Sequence, residues 1–143
     1  MDWKEAATED VASLKSRFAN KYKWQPEVQS DDGRLDLYIR LTGKRLNGKQ
    51  YLLRLRYLPD WEKVGRREDF VNPEQPEEFG RRFWPPNGAV RGINPDYDRN
   101  GVITPSICIK GVFGYHSVLH AAEPPDGTSL TWFLVHLQAA INE

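Results

Sequence analysis

The residue in this chain best suited to covalent chemistry is Cys108, because it is the only cysteine among the 143 residues. A cysteine thiolate is a strong nucleophile, so any thiol chemistry in this chain falls to that one side chain. Cys108 lies in a stretch of mixed polar and apolar residues rather than in the apolar stripe of a helix. The alternative is that it is a small buried hydrophobic residue between two isoleucines, as free cysteines commonly are.

Two histidines follow the cysteine at a spacing of four residues. If residues 115–122 are helical, His116 and His120 share one face, and either can transfer protons or act as a ligand. With Cys108 they also form a three-ligand metal set, but structural zinc sites use four ligands at closer, paired spacings. We therefore expect proton transfer from one of the pair and no metal, with plain surface histidines as the alternative.

The segment before the cysteine resembles the first half of a calcium-binding loop. Asp96, Asp98 and Asn100 alternate and are followed by a glycine, as in a helix-loop-helix calcium site. The twelfth position of that loop is Ile107, where a bidentate glutamate is required. Prolines at positions 95 and 105 also disfavour the flanking helices, so we do not expect calcium here.

Composition and charge exclude several classes of protein. Twenty basic and twenty acidic residues give no net charge, so the chain lacks a global field that would hold nucleic acid or an anionic membrane. Its first residues are acidic rather than a basic segment followed by an apolar run, and no stretch is long enough to span a bilayer. One cysteine precludes an internal disulfide and fits a reducing compartment. We expect one cytoplasmic domain covering residues 1–143.

Two amphipathic helices are predicted, one near each end of the chain. Apolar residues at steps of three or four run from Trp3 to Tyr22 and predict one helix over that range. Near the other end, Thr128 or Ser129 can cap a helix that carries an apolar stripe. The stripe consists of Leu130, Phe133, Leu134, Leu137 and Ile141.

Between the helices the pattern changes to that of antiparallel strands. Alternation over residues 35–41 and 51–57 predicts two half-buried strands joined by a tight turn at Asn47-Gly48. A weaker signal at 27–30 predicts a preceding strand. Over residues 60–83 the periodicity gives way to charge, aromatic residues and proline, which predicts a long loop or insertion. Turn signals surround the Cys108 segment and no helix pattern occurs there, so the predicted class is α+β.

The order of these elements and several short motifs resemble the ubiquitin-conjugating enzyme family over roughly residues 3–141. Residues 37–43 resemble the family's second strand, and residues 51–59 resemble the third strand with its terminal proline. Residues 83–86 resemble its aromatic and double-proline element, and residues 106–109 resemble its active-site strand. Residues 94–96 read Asn-Pro-Asp where the family has His-Pro-Asn.

The resemblance implies an acyl-transfer enzyme without a cofactor. Cys108 accepts the C-terminus of a ubiquitin-like protein from an activating enzyme and passes it to an amine of an acceptor protein. Asn94 or Asn100 supplies the amide that stabilises the oxyanion, with simple turn formation as the alternative for both. The single closing helix resembles compact bacterial relatives from conjugation or antiphage operons. The rival function is an inactive protein-binding module of the same fold, which the altered His-Pro-Asn motif would fit.

Overall fold

A meander of five antiparallel strands forms the central sheet in a computed structural model that describes residues 2–120 and 128–143. The strands are β1 (Glu27–Asp31), β2 (Arg34–Leu41), β3 (Tyr51–Tyr57), β4 (Arg67–Asn72) and β5 (Gln75–Phe79), hydrogen-bonded in that order. The longer helices are α1 (Trp3–Ala12), α2 (Ser16–Lys21) and α4 (Leu130–Asn142), with one short turn of helix, α3 (Trp61–Val64), after β3. The α+β class and the antiparallel sheet are confirmed.

The inner face of the sheet and the apolar stripe of α4 belong to one core. Alternate residues of β2 and β3 are fully buried, among them Leu37, Ile39 and Leu53, because successive strand side chains point to opposite faces. All five residues of the predicted α4 stripe have no exposed surface. Ser129 caps α4 by accepting a hydrogen bond from the backbone N–H of Trp132 at 3.1 Å. The closing helix and its buried face are therefore confirmed.

The single helix predicted from Trp3 to Tyr22 is instead two helices, α1 and α2. The Ser13 hydroxyl donates to the backbone carbonyl of Asp10, a local bond that competes with continuation of the helix. Lys15 is extended, and its N–H donates to Thr131 Oγ1 of α4 at 3.0 Å. Between α1 and α2, the Lys15 N–H therefore binds a side chain of α4 instead of a carbonyl of the preceding helical turn.

The prediction of a tight two-residue turn at Asn47-Gly48 is wrong, because the connection between β2 and β3 is longer. Leu41 pairs with Tyr51, so nine residues connect β2 to β3. Asn47 and Gly48 do adopt left-handed conformations, with φ of 53° and 76°, but they close a short 3₁₀ turn rather than a two-residue hairpin. The longer connection lets Leu46 reach the core, where only 4% of it is exposed.

Residues 60–83, predicted as a loop or insertion, contain two of the five strands. Arg67 and Asp69 of β4 lie on the outer face of the sheet opposite Arg56 and Arg54, while Phe70 lies on the inner face and is fully buried. Asp69 accepts hydrogen bonds from Arg54 at 3.4 Å and from Trp84 Nε1 at 2.9 Å. Asp69 is paired with Arg54 of the neighbouring strand, and Arg67 is paired with Asp60 before α3, so both charges of the outer face have a partner.

The Cys108 segment is built from short pieces, as predicted. It comprises β6 (Ile93–Asn94), β7 (Asp98–Arg99), β8 (Val102–Ile103) and β9 (Ser106–Ile107), followed by a π-helix over Gly114–Leu119. β6 pairs with β9, and β7 with β8. The helix considered over residues 115–122 extends into positions that lie outside the described residues. Within the described residues, no helix combines the length and hydrophobicity needed to cross a bilayer.

Candidate functional site

Cys108 is an exposed thiol that directly follows β9. Its backbone N–H donates to the carbonyl of Gly92 at 2.6 Å, which continues the ladder between β6 and β9 by one residue. The two flanking residues are more buried, and Ile107 is fully so. The strand therefore anchors the backbone in the protein while the sulfur faces solvent, and the interpretation of Cys108 as a small buried hydrophobic residue is wrong.

His120 lies beside the thiol. Its Nε2 is 3.9 Å from Cys108 Sγ, within hydrogen-bonding reach of a sulfur atom. The imidazole stacks on Tyr115, with ring centroids 4.4 Å apart and planes 27° from parallel. The backbone N–H of His120 donates to the Tyr115 carbonyl at 2.7 Å, a five-residue bond of the π type. The π-helix thus brings an imidazole to the thiol, where it can accept or return a proton.

His116 does not share a face with His120. It is 5% exposed, and its Nε2 accepts a hydrogen bond from the backbone N–H of Gly111 at 3.0 Å. That nitrogen is therefore occupied in holding the chain just after Cys108. The three-ligand metal set considered above is not assembled, and no group of three His, Cys, Asp or Glu side chains converges as metal ligands anywhere in residues 2–120 and 128–143.

The acidic residues before the cysteine are engaged in local contacts. Asp96 pairs with Arg81, and Asp98 Oδ1 accepts from the backbone N–H of Gly101 at 2.8 Å in the turn between β7 and β8. A calcium-binding loop would instead need these carboxylates to converge on one point. The resemblance to a calcium site ends with the sequence spacing.

The two candidate asparagines have different positions. Asn94 lies in β6 and lines the same groove as Cys108. Its Oδ1 accepts from the backbone N–H of Asp96 at 3.1 Å, which anchors the side chain through its oxygen. Asn100 lies at the exposed tip of the β7–β8 hairpin with a φ of 53°, a conformation that asparagine tolerates in tight turns. Turn formation accounts for Asn100, whereas Asn94 lies in the groove of the thiol.

Two open grooves meet at Cys108. The first, about 630 Å³, runs past Gly88, Gly92 and Asn94. The second, about 850 Å³, lies between the Cys108 segment and α4, where Trp132 and His136 stack with centroids 3.8 Å apart. The ridge between the two grooves consists of the four residues that line both: Arg91, Gly92, Cys108 and Glu143. A thiol on this ridge is accessible from both sides.

Two residues near the start of β4, which sequence reasoning missed, hold the loop that follows the cysteine. Arg66 donates to the Gly111 carbonyl at 2.8 Å, and its own carbonyl accepts from the N–H of Phe113 at 2.6 Å. Glu68 accepts from the N–H of Ile107 at 3.0 Å and from that of Gly114 at 2.9 Å. Both residues belong to the charged stretch over residues 60–83 that was predicted as a loop or insertion.

The Glu68 side chain is half-buried between β4 and the segment that carries Cys108. Burial raises its pKa to about 7, although the hydrogen bonds from Ile107 and Gly114 act in the opposite direction. The nearby charge of Asp69 adds a further, smaller upward effect. One sequence signal would have placed Glu68 on the inner face of the sheet. It is the alternation of side chains along a strand, continued through the charged residues of β4.

Models of known protein families give no match to this chain, and neither do curated proteins. What the site does is therefore inferred from its own geometry.

Proposed function

We propose that this protein is a ubiquitin-conjugating-like transferase that carries a ubiquitin-like protein as a thioester on Cys108. In this proposal the chain has the ubiquitin-conjugating-enzyme fold. The order of elements supports it: a helical N-terminal part, an antiparallel meander, an irregular segment with the cysteine, and a closing helix whose apolar stripe joins the core of the sheet. The short motifs of the active-site segment support the same assignment.

The observation that carries the proposal is the position of Cys108. The thiol is exposed, its sulfur lies 3.9 Å from an imidazole nitrogen, and it stands on the ridge where two open grooves meet. A transthiolation cysteine must be reached by one thioester and then by an amine, so it needs access from more than one direction. A cysteine with a purely structural role would need neither the exposure nor the neighbouring base.

The proposed reaction has two steps, transfer of the modifier to Cys108 and transfer from Cys108 to an amine. The Cys108 thiolate attacks the thioester carbon of the modifier carried by its activating enzyme, forming a new C–S bond while the thiolate of the activating enzyme leaves. An amine of the acceptor protein then attacks the Cys108 thioester, the C–S bond breaks, and an amide forms. His120 accepts the proton that the attacking amine loses. ATP is consumed earlier, by the activating enzyme, so this chain needs no cofactor.

The second step passes through an oxyanion, and we assign its stabilisation to Asn94. The Asn94 oxygen is anchored on the N–H of Asp96, which fixes the orientation of the amide in the groove of the thiol. An anchored amide can donate its Nδ2 hydrogens to a developing negative charge without reorganising. Asn94 therefore takes the part that the missing asparagine of the His-Pro-Asn motif would play.

The decisive experiment mixes the protein with its activating enzyme, its ubiquitin-like modifier and ATP. We expect a covalent adduct that a thiol reductant cleaves, because thioesters exchange with thiols and amides do not. Cys108→Ser should give an adduct that resists the reductant, or none. A reductant-sensitive adduct on the Cys108→Ser protein would refute the assignment. Absence of any adduct with the wild-type protein would favour the non-catalytic binding module of the same fold.

The same system tests Asn94 with a matched pair of variants. Asn94→Asp keeps an oxygen for the N–H of Asp96 but removes the amide donor, so charging should be unaffected and discharge to an amine should slow by about a hundredfold. Asn100→Gly, which tolerates the left-handed turn, should leave both steps unchanged. Unaltered discharge in Asn94→Asp would assign oxyanion stabilisation to another group.

A further inference from the structure

The loop that carries the cysteine has both of its ends bound to one carboxylate. Glu68 Oε2 accepts from the N–H of Ile107, the residue before Cys108, at 3.0 Å. Glu68 Oε1 accepts from the N–H of Gly114, the first residue of the π-helix, at 2.9 Å. The chain between these two amides contains Cys108, and the π-helix that starts at Gly114 leads directly to His120. One carboxylate therefore links the strand that holds the thiol directly to the helix that presents the imidazole.

The local packing is built around this carboxylate. A Cβ atom added at Gly114 would overlap Glu68 Oε2 and would lie 2.9 Å from the Cβ of Ser106. Glycine is thus required for the π-helix to approach the carboxylate. Glu68 is opposite Leu55 in the sheet and so lies on its inner face, a costly place for a charged group unless its oxygens are hydrogen-bonded. Two backbone donors on separate oxygens meet that requirement.

We propose that Glu68 is a positioning residue, which holds Cys108 and His120 at the separation needed for proton transfer by tying Ile107 and Gly114 to a single carboxylate. This inference rests on the proposed acyl transfer, in which Cys108 and His120 react. It adds Glu68 as a third residue that contacts neither of those side chains. Glu68 acts through His120. Loss of the carboxylate lets the strand and the π-helix separate, and the thiol loses its neighbouring base.

The test is a double-mutant cycle on thiol reactivity in the protein alone. The rate of Cys108 alkylation by iodoacetamide is measured for wild type, Glu68→Gln, His120→Ala and the double variant. We expect each single change to slow alkylation, by up to about a hundredfold, because small displacements of reacting groups have effects of that size. The double variant should be no slower than the slower single variant, since both changes remove the same contact. Additive losses, or unchanged alkylation in Glu68→Gln, would overturn the proposal.

Two further variants keep the test sound. Glu77→Gln changes an exposed glutamate of β5 and should leave alkylation at the wild-type rate. Glu68→Asp keeps the carboxylate but shortens the side chain by one methylene, which moves the carboxylate away from the two amides. It replaces Glu68→Gln in the cycle if that variant does not fold. It should show the same non-additivity with His120→Ala, and additive losses in this second cycle would also refute the positioning role.

The wild-type protein gives an independent reading by NMR. Protonation of Glu68 should shift the amide resonances of Ile107 and Gly114 together, with one midpoint near the carboxyl pKa of about 7. Different midpoints, or no shift at either amide, would overturn the shared contact. Non-additive alkylation together with no thioester adduct would sustain this inference while refuting the proposed function. Additive alkylation together with a clear adduct would do the reverse.

Discussion

At the scale of single residues, the candidate site joins an exposed thiol to a partly buried acid. Cys108 and His120 face solvent, whereas the Glu68 carboxyl behind them is partly buried and accepts hydrogen bonds from two backbone amides. Burial disfavours the charged form of Glu68, so the folded protein binds a proton there more tightly than the unfolded chain does. This difference links proton binding to folding.

We predict that the stability of the protein falls with pH in a way that Glu68→Gln abolishes. The folded pKa is raised from 4.5 to about 7, so the stabilisation from this group is complete below 4.5 and is lost as the pH rises through about 7. The shift corresponds to about 3 kcal/mol at most. Urea denaturation at several pH values, compared between wild type and Glu68→Gln, measures it. Parallel pH profiles for the two proteins would show that Glu68 titrates normally.

At the scale of elements, the sequence predicted those whose periodicity is uninterrupted. The alternation of β2 and β3 and the stripe of α4 are apolar on the buried face, so local pattern and tertiary burial agree. β4 was missed because its inner face carries Glu68 and its outer face carries Arg67 and Asp69. Backbone amides, Arg54 and Asp60 from other segments make those charges compatible with a strand, and a local sequence pattern does not reveal such partners.

The same distinction applies to the candidate site. The thiol and His120 could be identified from residue type and spacing along the chain, whereas Asn94 was a candidate only through the family resemblance and beside Asn100. Glu68 and Arg66 could not, because each acts on backbone groups roughly forty or more positions away, at residues 107, 111 and 114. Spacing also misplaced His116, because His120 lies beyond the end of the π-helix, with a φ of −132°, so the two side chains do not follow one helical face.

For α4 we predict that Phe133→Ala destabilises the protein by about 3–5 kcal/mol, because a fully buried aromatic ring leaves a cavity. Trp132→Ala, one position along, removes a larger side chain that is 41% exposed and should cost much less. Urea denaturation of both variants measures the difference. Equal losses would mean that the two faces of α4 are buried to the same degree.

At the scale of the whole molecule, Arg66 connects segments that are distant in the sequence. Its guanidinium is 3% exposed and binds both oxygens of Asp10 in α1, at 2.8 and 2.9 Å. The same group donates to the Gly111 carbonyl of the Cys108 loop and to the Thr128 carbonyl before α4. It also contacts the Tyr57 hydroxyl at 3.1 Å. One side chain thereby ties the first helix, the sheet, the Cys108 loop and the segment before the closing helix together.

We therefore predict that Arg66→Lys lowers the free energy of unfolding by about 1–3 kcal/mol even though it keeps the charge. An ammonium group cannot reproduce the planar fork, so at least one buried carbonyl or carboxylate oxygen loses its donor. Arg67→Lys is the matched control, because Arg67 pairs with Asp60 at the surface and exposed pairs contribute about 1 kcal/mol or less. Chemical denaturation distinguishes the two. Equal losses of unfolding free energy in the two variants would mean that the Arg66 contacts stabilise the protein no more than a surface ion pair does.

The outermost strands of the sheet govern how copies of the protein meet at high concentration. An open strand edge presents unpaired backbone groups on which another chain can add, and this is a common route to aggregation. All five residues of β1 are exposed and two of them are acidic, while β5 carries Pro76, Glu77 and Glu78. Glu27 and Glu77 carry negative charge that repels a second copy, whereas Asp31 and Glu78 are paired with Arg34 and Arg82, and proline removes a donor. The outer strands β1 and β5 can therefore stay unpaired at their free edges without adding strands from other copies of the protein.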